Sequence, residues 1–179
     1  MRKRDDIGGK QMMNNLDNYN NISFARAETS VIMEVFHSNI YGNVHGGELM
    51  KLVDIAAGMA ATKHCKGQVV TARVDEVVFH RPVHVGNIVK CIGQLAYVGK
   101  SSMQIIVNIL VSSIENYSEW ETALTAFVTM VHMVDNKSAK VPELIVTTKE
   151  EEEIYKLGEK KYKEIKDKYI KSEILYFLM

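Results

Sequence analysis

This chain lacks a surplus of either charge: across its 179 residues, 22 Lys and Arg balance 22 Asp and Glu, for a formal net charge of zero. That balance argues against nucleic acid or an anionic membrane as the main partner, so a phosphate-bearing ligand has to be met by a local basic patch. Cysteine is nearly absent too. Cys65 and Cys91 are the only two; without CxxC or metal-type spacing, they read as free, buried thiols in a reducing compartment. No apolar run reaches the ~18–20 residues of a membrane span. The start, Met1 to Asp6, is basic but has no apolar core, which excludes a secretory signal, and its acidic residues argue against a transit peptide. Cytoplasm is the expected compartment. No internal repeat is visible. What remains is a chain with 46% hydrophobic residues, long enough for one domain with a sizeable core and a short appendage.

Hydrophobic patterning divides that domain. Residues 1–25 carry an Asn cluster and little periodicity, and read as a mobile arm. The run Thr29 to Phe36 reads as a strand, 37–45 as a loop and 46–64 as a helix. This helix is apolar on nearly every side, which suits one wrapped by a curved sheet. Four runs rich in Val, Ile, Thr and aromatics follow at 68–79, 87–98, 102–113 and 120–134. Their breaks hold Pro82 with Gly86, Gly99 with Lys100, and Asn116 to Ser118, so an antiparallel meander is expected. The predicted class is α+β: one strand, one buried helix and four more strands curled round it. The core domain is expected over 26–146, and 147–179 as a charged helical extension. Ile154, Leu157, Ile165 and Tyr169 form its thin apolar stripe, and the short apolar end from Ile174 to Met179 is a tail.

Two features carry chemistry. Gly46-Gly47 at the helix start bares backbone N–H groups at the positive end of a helix dipole. Asp54 stands among Leu49, Leu52, Val53, Ile55 and Ala56, where an unpaired charge costs several kcal/mol to bury. Eight residues separate Gly46 from Asp54, ~12 Å of rise, too far to act on one small group within one helix. A partner chain would close that distance. The adjacent His64 and Cys65 lack further ligands, so no metal site is expected.

The segment Gly42-Asn43-Val44-His45-Gly46-Gly47-Glu48-Leu49-Met50-Lys51-Leu52-Val53-Asp54 resembles the central-helix signature of hotdog-fold acyl-CoA thioesterases. It is most similar to the YciA-like bacterial enzymes and the cytosolic, brain-type acyl-CoA hydrolases of animals. The resemblance continues through Val69 to Phe79, Arg81 to Gly86 and Val98 to Met103, four motifs in order. It implies a single hotdog domain that hydrolyses an acyl-CoA to a free acid and coenzyme A. Asp54 would be the base that activates water, or the nucleophile that forms a mixed anhydride. Its apolar neighbours would desolvate it. Asn43 would position water, with helix capping as its plainer role. An amide of Gly46 or Gly47 would polarise the thioester carbonyl, an effect worth roughly 3–4 kcal/mol in comparable oxyanion sites.

The same resemblance sets His45, Arg73, Arg81, Lys100, Ser101 and Ser102 beside the coenzyme A moiety, whose phosphates suit cations and hydroxyls. For Arg81 and Lys100 the alternative is a solvated turn residue, and for His45 a structural one. No cofactor is implied, since coenzyme A belongs to the substrate. The expected partners are acyl-CoA and further copies of the chain, with sites shared across a dimer and three dimers forming a hexamer. The rival reading is a hotdog module that binds acyl-CoA as a regulator without hydrolysing it.

Overall fold

The computed structural model describes residues 20–178. It contains the strands β1 (Arg26–Ile32), β2 (Gln68–Phe79), β3 (Ile88–Val98), β4 (Ser102–Ser112), β5 (Glu121–Val134) and the two-residue β6 (Lys137–Ser138). Its helices are α1 (Gly46–Cys65) and α2 (Lys149–Leu178), with one 3-10 turn at Val35–His37. The α+β class and the central helix are as expected, and the strand boundaries fall within a residue of the sequence reading for all but β1, which starts three residues earlier than expected and ends four earlier, giving way to the 3-10 turn.

The strands pair antiparallel, in the order β1-β3-β4-β5-β2, with β6 on β5. The expected four-strand meander is therefore corrected. β3, β4 and β5 form a meander, but β2 lies beyond β5 at the sheet edge and does not touch β3. Residues 80–87 are a crossover rather than a hairpin turn. The Val83 carbonyl accepts from the Val44 amide at 2.7 Å, and His84 bridges Asn43, so this segment is pinned beneath the start of α1 on its way across.

α1 lies against one face of the sheet. Leu49, Val53, Ala56, Ala57, Ala60, Ala61 and His64 recur at helical spacing as its buried stripe. The stripe is mostly alanine because the sheet comes very close: a Cβ at Gly93 would overlap the Ala56 carbonyl. Only one side of α1 is covered, against the expectation of a helix wrapped all round. Ile55 and Met59 keep 42% and 46% of their surface open, and on the same side of the sheet β2 exposes Val74 and Phe79. Among the described residues no helix is long and apolar enough to cross a membrane.

α2 packs on the opposite face. Phe127, which lies beneath the Lys161 amine, and Met130, which meets Gly58 of α1, differ in parity along β5 and so point to opposite faces. The helix sits so close to β3 that a Cβ at Gly158 would strike Ala96, and Tyr97 rests between the rings of Tyr155 and Tyr162 at 5.2 and 5.1 Å. Leu157, placed on the apolar stripe in the sequence reading, points outward at 44% exposure. The actual line is Glu151, Ile154, Tyr155, Gly158 and Tyr162, one position round the helix. Tyr169 and the apolar end fall beyond the described side chains.

The arm expected over 1–25 lies outside the described residues up to 19. Its last part does not fit that expectation: Ile22 and Ala25 are fully buried, and Asn21 bridges Ile145. Glu151 is the reason these ends meet. Its carboxylate, 2% exposed, accepts from the Ser23 amide and hydroxyl at 2.9 and 2.5 Å and from both Thr147 groups at 2.7 Å. Burial alone would raise its pKa, but the bonds from Ser23 and Thr147 outweigh it and lower the value to about 2.

A carboxylate held below its unfolded value stabilises the fold above that value and loses the contribution as pH falls toward 2. Glu151→Gln is expected to remove on the order of 3 kcal/mol at neutral pH and to flatten the acid limb between about pH 4.5 and 2. Urea unfolding at several pH values measures both, and an unchanged acid limb would show that Glu151 is not the staple.

Candidate functional site

α1 begins where the chain leaves a tight loop. Ser38 bridges Val44, the Asn39 amide donates to the Asn43 carbonyl at 2.7 Å, and Gly42 closes the turn with φ +79°. The Asn39 side-chain oxygen holds the loop from within, accepting from the amides of Tyr41 at 2.9 Å and Asn43 at 3.3 Å. Asn43, the expected water-positioner or cap, is paired through its backbone, and its side-chain amide makes no hydrogen bond with a described residue. His45 is the cap: its Nδ1 accepts from the Gly47 N–H at 3.0 Å. With the Gly47 amide already engaged, Gly46 offers the free helix-start donor, facing the Phe79 ring at the far end of β2.

Asp54 projects two turns further along. It is exposed in the single chain, not enclosed by its apolar neighbours, because it lies on the side of α1 that the sheet leaves uncovered. Thr71 of β2 donates to its Oδ1 at 2.5 Å and also contacts the Met130 sulfur at 3.4 Å. No described residue donates to Oδ2. From this pair a groove of about 540 Å³ runs between α1 and β2, past Ile55, Gly58 and Met59. It combines one fixed carboxylate at its mouth with an apolar wall, which suits a polar reacting group attached to an apolar tail.

The proposed coenzyme A ligands are not brought together in one chain. Arg73 points to the α2 face, where it forms an ion pair with Asp75 and reaches Thr129 at 3.3 Å. The Asp75 side chain is 3% exposed and also accepts from Thr129 at 2.6 Å, so Arg73 belongs to a buried polar network that ends at Gln104. Arg81 lies near the start of α1, ion-paired with Glu121. Lys100, Ser101 and Ser102 form the β3–β4 turn at the opposite end of the sheet. Their carbonyls accept from Val141, His132 and Gly99 at 3.0, 3.0 and 2.7 Å.

The thiols stay out of the chemistry. Burial pushes Cys65 up to about 11 and Cys91 up to about 12, so both are protonated at neutral pH. His64 is buried as well; its Nε2 meets the Pro142 carbonyl at 3.0 Å, and burial lowers its pKa, keeping it neutral.

The profile of the thioesterase superfamily matches residues 41–114, the stretch from the loop before α1 to the end of β4. Protein VdlD of Helicobacter pylori is 32% identical over 136 residues, covering 75% of this chain and 77% of its own length. The chain belongs to the thioesterase superfamily. A cytosolic acyl coenzyme A thioester hydrolase of Rattus norvegicus is 31% identical over 153 residues, 83% of this chain. This thioesterase-superfamily chain spans only 40% of that relative's length. Among solved structures, an acyl-CoA hydrolase from Staphylococcus aureus in complex with butyryl coenzyme A superposes with a TM-score of 0.80. Its identity is 27%, and the match covers 89% of this chain and 98% of that one. A hexameric thioesterase from Yersinia pestis is 31% identical, with a TM-score of 0.60 over 64% of this chain and 93% of its own.

The sequence reading gives no role to Thr71 or to Asn39. Thr71 falls inside the motif from Val69 to Phe79, 17 positions from Asp54, and Asn39 inside the loop 37–45.

His45→Ala is expected to cost about 1 kcal/mol of stability through the lost cap. Denaturant unfolding measures it. A stability unchanged from wild type would mean that the Gly47 N–H is not held by His45 and stays free beside that of Gly46.

Proposed function

We propose that this chain hydrolyses acyl-CoA thioesters to a carboxylic acid and coenzyme A, in a homodimer whose sites are each completed by both subunits. The observation that carries the reading is the Asp54–Thr71 pair at the mouth of an apolar groove. Thr71 fixes one carboxylate oxygen and leaves the other to take a proton from water or to attack the carbonyl itself. The free Gly46 amide at a helix start is the donor for the thioester oxygen.

The names of the relatives support the substrate, and the Staphylococcus aureus structures support the residues. That enzyme has been solved with single alanine substitutions at an Asn, an Asp and a Thr, separated in turn by 15 and 17 positions. Asn39, Asp54 and Thr71 have the same spacing. This supports Asn39 rather than Asn43 in the water-positioning role, since its side-chain oxygen is spent on the loop while its NH₂ stays available to orient a nucleophile.

Within one chain, the Asn39 loop and Gly46 sit at the start of α1, and Asp54 lies ~12 Å along it. A second copy laid on the open face of α1 and β2 would bring its own loop to this Asp54, cover Ile55 and Met59, and supply the desolvation that a single chain lacks. Hexameric thioesterases among the structural relatives support such assembly, and three dimers are the expected form. Arg81 and the Lys100–Ser102 turn, separated within a chain, remain candidates for the coenzyme A phosphates if different subunits present them. The cytosolic relative supports a cytoplasmic setting.

Release of free thiol from acyl-CoA tests the activity and separates it from the binding-only alternative. Asp54→Asn keeps the shape but removes the proton acceptor, so kcat is expected to fall ~10²-fold or more with coenzyme A affinity retained. Near-wild-type turnover would remove Asp54 from the mechanism.

Shared sites predict complementation. Asn39→Ala and Asp54→Ala chains are each expected to be inactive, but after subunit exchange a heterodimer collects both defects in one site and leaves the other intact. About a quarter of wild-type activity should return. No recovery, with exchange confirmed by mass, would place each site within one chain.

A further inference from the structure

The groove that opens at Asp54 and Thr71 has polar groups only at its ends. Thr62 and Lys63 close the far end, where the Lys63 amine donates to the Arg26 carbonyl at 2.5 Å and stands 5.1 Å over the Phe24 ring. Between the ends, the walls are apolar and include the flexible thioether side chains of Met59 and Met130, which adjust to an aliphatic guest. The middle is open for one reason. Residue 58 is glycine, and the only atom within 4 Å of a Cβ built there is the Met130 methyl, at 3.9 Å. Alanine would fit that gap, whereas a longer side chain would enter the groove.

The distance is set by the helix. Asp54 and Thr62 are eight residues apart, ~12 Å along the axis. A zigzag alkyl chain with C–C bonds of ~1.5 Å advances ~1.3 Å per carbon, so that length corresponds to about nine carbons. We propose that the groove holds the acyl chain of the thioester, that it fits a straight chain of about eight to ten carbons, and that Gly58 determines chain length by keeping its middle open. This rests on the thioesterase reading above and adds the substrate class. The reacting carbonyl lies at Asp54, and the methyl end of the chain meets Thr62 and Lys63. Each buried methylene gains roughly four-fold in binding, so selectivity accumulates along the groove until the far end stops it.

The test is kcat/KM, by thiol release, for straight-chain acyl-CoAs from acetyl to palmitoyl on the full chain. For the wild type the value is expected to climb to a maximum near octanoyl and decanoyl and to drop beyond dodecanoyl. Gly58→Leu should lower the ratio of octanoyl to acetyl at least 30-fold, while Gly58→Ala leaves the maximum in place. Thr62→Phe blocks the far end instead and should lower the ratio of decanoyl to hexanoyl; it decides the matter by itself if the leucine variant does not fold. A wild-type maximum at acetyl, or ratios unmoved by the Gly58→Leu and Thr62→Phe variants that fold, would overturn the assignment while leaving the thioesterase reading intact. Thiol release from none of these substrates would instead overturn the thioesterase reading itself.

Discussion

The close approach of α1 to β3 governs the rest of the structure. Because Gly93 has no side chain, the helix backbone at Ala56 rests directly on the sheet, and the stripe facing inward has to be small. A helix seated this deeply on alanine leaves its larger residues, Ile55 and Met59, on the outside together with Asp54. The apolar cost of that choice is visible on the surface, where these residues share an open side of the sheet with Val74 and Phe79 of β2. The same tight seating therefore builds the groove, exposes the carboxylate, and leaves an apolar face suited to a second copy of the chain.

The strand β2 does the complementary work through its irregularities. Pairing with β5 slips between Thr71 and Arg73 and again between Val74 and Glu76. On a regular strand Thr71, Arg73 and Asp75 would share one face. The first bulge turns Thr71 toward Asp54 and sends Arg73 through to the other side, and the second turns Glu76 toward α2, where it meets Lys161 at 2.8 Å. One edge strand thus serves the candidate site with one face and anchors the C-terminal helix with the other.

Those bulges also explain which parts could be read in advance. Strand and helix positions were legible, since Val- and Ile-rich runs and the apolar stretch from Leu49 to Ala61 carry their periodicity in the residues themselves. Asp54 was legible as a carboxylate out of place. Thr71 was not, because its role depends on a one-residue slip in pairing that no alternation pattern records, and the same slip misplaced Arg73. The crossover at 80–87 was read as a turn because Pro82 and Gly86 look alike in both settings; only the partner strand distinguishes them. Leu157 was assigned to the apolar stripe of α2 by hydrophobicity, whereas close contact is made one residue on by Gly158, a residue that hydrophobic patterning ignores.

Glycine and alanine carry the geometry here, and hydrophobic bulk carries the cohesion. Gly93 sets the depth of α1, Gly158 the depth of α2, and Gly58 the openness of the groove, so the sheet is held between two helices at nearly backbone-to-backbone distance. Such contacts have no soft side chain to absorb displacement, and the two helices are coupled through the strand between them. Leu95, one residue before Ala96 and two after Gly93, is fully buried in that same stretch of β3. Ala96 and Tyr97, which meet α2, lie three and four residues along β3 from Gly93, which meets Ala56. Ala56 lies two positions from Asp54. The C-terminal helix, which reads in sequence as an appendage, packs on the same strand that carries the contact with α1.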